Sequence, residues 1–117
     1  MRQQSIRFAA ASGPHLLEVM MACSALTRMR GLLGRPPLRA GQGMLIRPCS
    51  MIHTLGMRYP IDVVFLRRDG LVLRVAAAVA PRRMRGHLGA SCVLELAAGE
   101  AQRCGIVVGL TLPIGGT

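Results

Sequence analysis

Ile61-Asp62-Val63-Val64-Phe65-Leu66-Arg67-Arg68-Asp69-Gly70-Leu71-Val72-Leu73-Arg74-Val75-Ala76-Ala77-Ala78-Val79 is the stretch whose reading decides the fold. Two apolar, β-branched runs flank Asp69-Gly70, a dipeptide that favours a two-residue type I′ turn because both of its residues tolerate positive φ. Such a loop pairs Arg68 with Leu71, Leu66 with Leu73, Val64 with Val75 and Asp62 with Ala77. One face of the hairpin then carries Asp62, Val64, Leu66, Leu73 and Val75 and is expected to face the core. The other carries Ile61, Val63 and Phe65 with Arg67 and Arg74, and reads as the mixed, outer face. A carboxylate on the core face, at Asp62, has to be hydrogen-bonded, paired or placed at the rim.

Upstream, Gly43 to Ile46 is a short apolar strand that Arg47-Pro48 ends, since proline lacks the N–H that a ladder needs. Ser5 to Ala22 reads as two extended pieces around Gly13-Pro14, with Leu17, Val19 and Met21 on one side and Leu16, Glu18 and Met20 on the other. Between them Ser24 stands as an N-cap, followed by Ala25, Leu26, Met29, Leu32 and Leu33 at helical spacing, until Gly34 and Pro36-Pro37 stop the pattern. Downstream, Pro81 to Gly89 reads as an exposed basic loop and Ser91 to Leu96 as a strand. Gly99 to Gly105 has room for one helical turn, with Glu100 at its acidic start and Arg103 near its end. Thr111 to Ile114 is expected to be a last short strand. Neither a repeat nor a linker interrupts the chain, so residues 1–117 are expected to form a single mostly β domain. The expected form is all-β leaning to α+β: a compact sandwich or partly closed barrel with one or two short helices.

Composition agrees with a packed domain. The chain has 117 residues, 51% of them hydrophobic, which excludes intrinsic disorder as the main state. A chain of this length buries roughly 60–70% of its unfolded surface, so it needs no metal or disulfide to hold a core. Fifteen arginines and no lysine oppose five acids, for a formal charge of +10. Trp is absent, and eight methionines supply soft core filler in place of rings. The four cysteines, at 23, 49, 92 and 104, show no C-x-x-C spacing, which argues against structural zinc. The apolar run Phe8 to Ala11 is broken by Ser12-Gly13-Pro14-His15 short of a signal h-region, and no stretch reaches the roughly 20 apolar residues of a membrane span. A cytoplasmic protein with reduced thiols, and without a membrane span, is the expectation.

The densest polar segment is Cys49-Ser50-Met51-Ile52-His53-Thr54, leading through Tyr59-Pro60 to Asp62. As a strand it would hold Cys49 and His53 about 13 Å apart, so either chelation of a metal or a thiol–imidazole nucleophile pair at these two residues requires a turn. His53 also reads as a core-edge histidine bonded to a backbone carbonyl, and Asp62 as an acceptor for turn N–H groups or for Arg30. No G-x-S-x-G elbow or Walker loop is present, and the five acids offer no carboxylate pair for glycoside hydrolysis. Arg82, Arg83 and Arg85 form a basic patch that reads as a solvated loop, while the field of the whole chain attracts polyanions nonspecifically. Interleaved aromatics and zinc-finger spacing, the marks of a dedicated nucleic-acid binder, are missing.

Met29-Arg30-Gly31-Leu32-Leu33-Gly34-Arg35, Gly43-Met44-Leu45, His53-Thr54 leading to Pro60-Ile61-Asp62-Val63-Val64-Phe65, Asp69-Gly70, and Val93-Leu94-Glu95-Leu96 with Gly99 resemble, in order and spacing, the domain of unknown function 192 (DUF 192) family. The resemblance covers roughly residues 16 to 112. It implies a small, mostly β single domain with a few short helices and no established activity. The family's R-G-L, P-x-D and V-L-E motifs fall on Arg30-Gly31-Leu32, Pro60-Ile61-Asp62 and Val93-Leu94-Glu95. Together with the hairpin register, this suggests that Arg30 pairs with Asp62 near His53 and Thr54, as a structural lock or as the floor of a small polar pocket. A non-catalytic binding or accessory domain, with no cofactor and an unknown small ligand or protein partner, is the expected function. The alternatives are a metal- or thiol-dependent enzyme using Cys49 and His53, and a nonspecific nucleic-acid binder.

Overall fold

Every residue of Ile61–Leu66 is buried, on both sides of the strand. An alternating strand half-covered by solvent would show period-two exposure, so this strand has to lie inside a sheet covered on both faces. The structure, a computed structural model, describes residues 2–22 and 36–115. Its strands are β1 (Arg2–Ala10), β2 (Gly13–Ala22), β3 (Gln42–Ile46), β4 (Met51–His53), β5 (Ile61–Leu66), β6 (Val72–Val79), β7 (Met84–Gly86) and β8 (Cys92–Ala97), followed by one helical turn, α1 (Glu100–Arg103). The helix expected over Ser24 to Leu33, with Arg30 on it, lies outside the described residues.

Six strands form one sheet in the order β1-β2-β3-β8-β5-β6, and β4 and β7 form a separate two-stranded ribbon. All pairs are antiparallel except β2 with β3. Parallel neighbours need a crossover connection, which the chain supplies between Ala22 and Gln42. β1 and β6 stay as the two edges of the large sheet, so the fold is mostly β and open, and the partly closed barrel is not formed.

Two cores follow from the two covered faces. The first gathers Ile6, Leu17, Val19, Leu45, Val64, Leu66, Leu94 and Leu96 against Ala101, Cys104, Ile106 and Leu112 from the C-terminal segment. The expected inward set Leu17, Val19 and Met21 of β2 belongs to it. The second gathers Met44, Ile46, Ile61, Val63, Phe65, Val79 and Val93 against Leu38 and Ile52. Ile61, Val63 and Phe65, expected on an outer face, are thus core residues. The arginine of that face, Arg74, remains compatible because its guanidinium lies over the Phe65 ring, 5.8 Å from the centroid, and donates to Gly86 O at 2.8 Å.

The hairpin is present, with a different turn. Arg67 N–H donates to Leu71 O at 2.8 Å and Gly70 N–H donates to Arg67 O at 2.9 Å, which closes a three-residue loop over Arg68, Asp69 and Gly70. Gly70 has φ 94, whereas Asp69 is not left-handed, so the type I′ geometry is replaced by a turn with a glycine bulge. Val64 pairs with Val75 as expected, but Leu66 meets Val72 and Ile61 meets Val79, with irregularities between Phe65 and Leu66 and between Ile61 and Val63. The C-terminal chain explains the turn: Leu112 N–H donates to Gly70 O at 2.9 Å, and a Cβ at Gly70 would lie 1.9 Å from Leu112 O. Thr111 to Ile114, expected as a strand, makes only an isolated bridge from Thr111 to Leu71. In the segment expected as the loop Pro81 to Gly89, three residues form β7 because β4 offers them a partner.

Candidate functional site

Asp62 is fully buried, on the first-core side of β5. Its Oδ1 accepts Ala78 N–H at 2.8 Å, and its Oδ2 accepts Gly99 N–H at 3.1 Å and Ala101 N–H at 2.9 Å. Gly99, the N-cap of α1, has no side chain to satisfy the first turn, so a carboxylate from a distant strand does it. The same carboxylate holds Ala78, whose φ of 48 is left-handed, where β6 departs from regular pairing. Asp62 therefore acts as an acceptor for turn N–H groups, one of the readings open from the sequence.

Thr54 is likewise buried and occupied. Its Oγ1 donates to Ala80 O at 2.8 Å and accepts Arg83 N–H at 2.8 Å, tying the end of β4 to the start of β7. His53 is exposed on the outward side of β4 and pairs in register with Met84. Cys49 packs against the second core and its thiol donates to Met51 O at 3.2 Å. Cys92, fully inside the first core, has its thiol pushed up to about 11 by burial. Among the described residues, no three His, Cys, Asp or Glu side chains are gathered as a metal would require. Arg82 and Arg83 are exposed, and Arg85 is half-buried with its guanidinium on Met84 O.

The polar groups without internal use lie elsewhere. Glu95 on β8 is 4% exposed, and no hydrogen bond reaches its carboxylate among the described residues. It stands in register with Met44 of β3 on one side and Val63 of β5 on the other, in the middle of the second core's face. Burial pushes this carboxyl up to about 7, because the charged form has lost water. The Tyr59 hydroxyl, on a residue packed against the same face, is buried and has no hydrogen-bond partner among the described residues. Burial first, and the Glu95 charge second, raise the phenol's pKa. Glu95 and Tyr59 thus place a carboxyl group and a hydroxyl group against one apolar face of the sheet. The sequence signal for Glu95 was the same as for Asp62: a lone acid in a run of strand residues, Val93-Leu94-Glu95-Leu96. Tyr59 gave no signal of its own.

The sequence profile of the DUF192 family, described as uncharacterized ACR, matches residues 7–114. A protein of unknown function from Novosphingobium aromaticivorans DSM 12444 has a similar crystal structure, with a TM-score of 0.83 and 25% identity over 94% of this chain and 84% of the other. A protein from Sinorhizobium meliloti 1021, named as a candidate transcription regulator, is similar with a TM-score of 0.85 and 27% identity over 95% and 92% of the two chains. No curated protein matches the sequence.

Proposed function

The chain belongs to the DUF192 family, and on that footing we propose that it is a small non-catalytic binding or accessory domain whose ligand is met by Glu95 and Tyr59. The observation that carries this reading is the buried Glu95 carboxylate in the centre of the second core's face, which accepts no hydrogen bond from the described residues. A carboxylate that only held the fold together would be expected to resemble Asp62, with its acceptor positions filled by backbone N–H groups. Of the residues grouped from the sequence, Asp62 and Thr54 support the frame of this reading, and His53 belongs to the outward surface of the ribbon.

Native mass spectrometry of protein purified without chelator tests the reading. The expected result is a reproducible extra mass that is released on denaturation and missing from Glu95→Gln. A bare chain mass for both proteins overturns it. Nucleic-acid binding is a second reading, with the formal charge of +10 and the name of the Sinorhizobium neighbour behind it. It predicts affinity that falls steeply with salt and is indifferent to Glu95.

A further inference from the structure

The ribbon of β4 and β7 presents an outward face that the second core does not use. Ile52 points inward, while Met51, His53 and Met84 face out, with His53 opposite Met84 and Met51 opposite Gly86. A tight turn closes each end of this ribbon. In Thr54–Met57, Met57 N–H donates to Thr54 O at 3.2 Å, with Leu55 and Gly56 at the centre; in His87–Ala90, Ala90 N–H donates to His87 O at 3.0 Å, with Leu88 and Gly89 at the centre. Both turns place a leucine at the first central position. Met51, Leu55, Met84 and Leu88 are 59%, 54%, 61% and 104% exposed, so the ribbon and the turns at its two ends carry four exposed large apolar side chains.

The segments that form the ribbon and its turns carry positive formal charge only. Residues 49–61 and 80–91 contain no Asp or Glu, and Arg58, Arg82 and Arg83 are exposed within them. The tips are held in place: Thr54 anchors one end through Ala80 and Arg83, and the bond from Arg74 to Gly86 O ties β7 to the large sheet. Single exposed leucines are ordinary, but protruding apolar side chains on an acid-free, Arg-bearing ribbon need a partner with an apolar layer beneath an anionic one. Nucleic acid offers the anions without the apolar layer, and the one Phe, Tyr or Trp in these segments, Tyr59, has its hydroxyl buried.

We propose that the outward face of the β4–β7 ribbon docks the protein on an anionic lipid surface, with Leu55 and Leu88 entering the acyl boundary and Arg58, Arg82 and Arg83 meeting the head groups. A fluid interface accepts projecting side chains without a preformed groove, and each arginine near an anionic leaflet adds to the attraction. Co-sedimentation with vesicles of mixed phosphatidylglycerol and phosphatidylcholine, with pure phosphatidylcholine vesicles, and titration with duplex DNA at the same salt, form the test. The expected result is binding to the anionic vesicles and none to the pure phosphatidylcholine vesicles. The pair Leu55→Ser and Leu88→Ser then weakens vesicle binding about tenfold or more while leaving any DNA binding unchanged. The pair Arg82→Glu and Arg83→Glu weakens it by a similar factor. Vesicle binding unaffected by the leucine pair, or equal binding to both vesicle types, overturns the proposal.

Discussion

Asp62 and Glu95 are two buried acids on neighbouring strands of one sheet, and they differ in everything that follows from partners. Asp62 fills its oxygens with Ala78, Gly99 and Ala101 N–H groups. Replacing it by Ala orphans all three donors and is expected to cost several kcal/mol, at about 1–3 kcal/mol per buried unpaired group. Asp62→Asn turns an N–H₂ against at least one of those donors, so its loss in a urea titration should be smaller than that of Asp62→Ala but still above about 1 kcal/mol. Equal stability of wild type and Asp62→Ala would remove Asp62 from the frame.

Glu95 gives the opposite pH behaviour to a paired acid. Its folded value, raised by burial to about 7, lies above its ordinary 4.5, so the folded chain holds the proton more tightly than the unfolded chain does. The contribution of Glu95 to stability is therefore greatest below about pH 4.5, falls as pH rises towards about 7, and levels off above it; the loss is about 3 kcal/mol as an order of magnitude. Glu95→Gln should flatten this decline and unfold at higher denaturant than wild type near pH 8. If denaturation midpoints of the two proteins follow the same pH course, the carboxyl is not buried as described.

At the level of elements, the hairpin shows how far local signals reach. Asp69-Gly70 marked the turn correctly, and the Val64–Val75 pair sits where a tight loop puts it. The loop itself has three residues because the chain around Leu112 runs against Gly70, a contact no window around residue 70 contains. Gly70→Ala is expected to lose about 2–4 kcal/mol, since Ala is strained at φ 94 and its Cβ would collide with Leu112 O. Hydrogen exchange should show the damage locally, at the Leu112 and Val72 amides. The β4–β7 ribbon is the converse case: three-residue strands have too little period to be read, and Thr54 assembles them through contacts to residues 80 and 83.

On the scale of the whole molecule, the charge of +10 was legible from the first count of residues, and its consequence needs no structure. Binding to heparin or duplex DNA is expected at low salt and should fall steeply as salt rises; an affinity that ignores salt would contradict it. Six of the strands, β1, β2, β3, β5, β6 and β8, together with the inward face of β2, the helical turn at Glu100 and the mostly β class, were also contained in local patterns, since alternation, proline, Asp-Gly and capping act over a few residues. The family was visible in the order and spacing of its short motifs. What only the tertiary structure decided is which side of a strand counts as inside and which polar groups remain unspent. The sequence by itself placed Asp62 on a buried face and left its partners open; three N–H groups from distant segments occupy it. It left Glu95 as one letter of a motif, and the second covered face of the sheet turned that letter into a buried acid with a raised pKa. Burial and hydrogen-bond satisfaction are sums over neighbours from the whole chain, so they become determinate only when those neighbours have assembled.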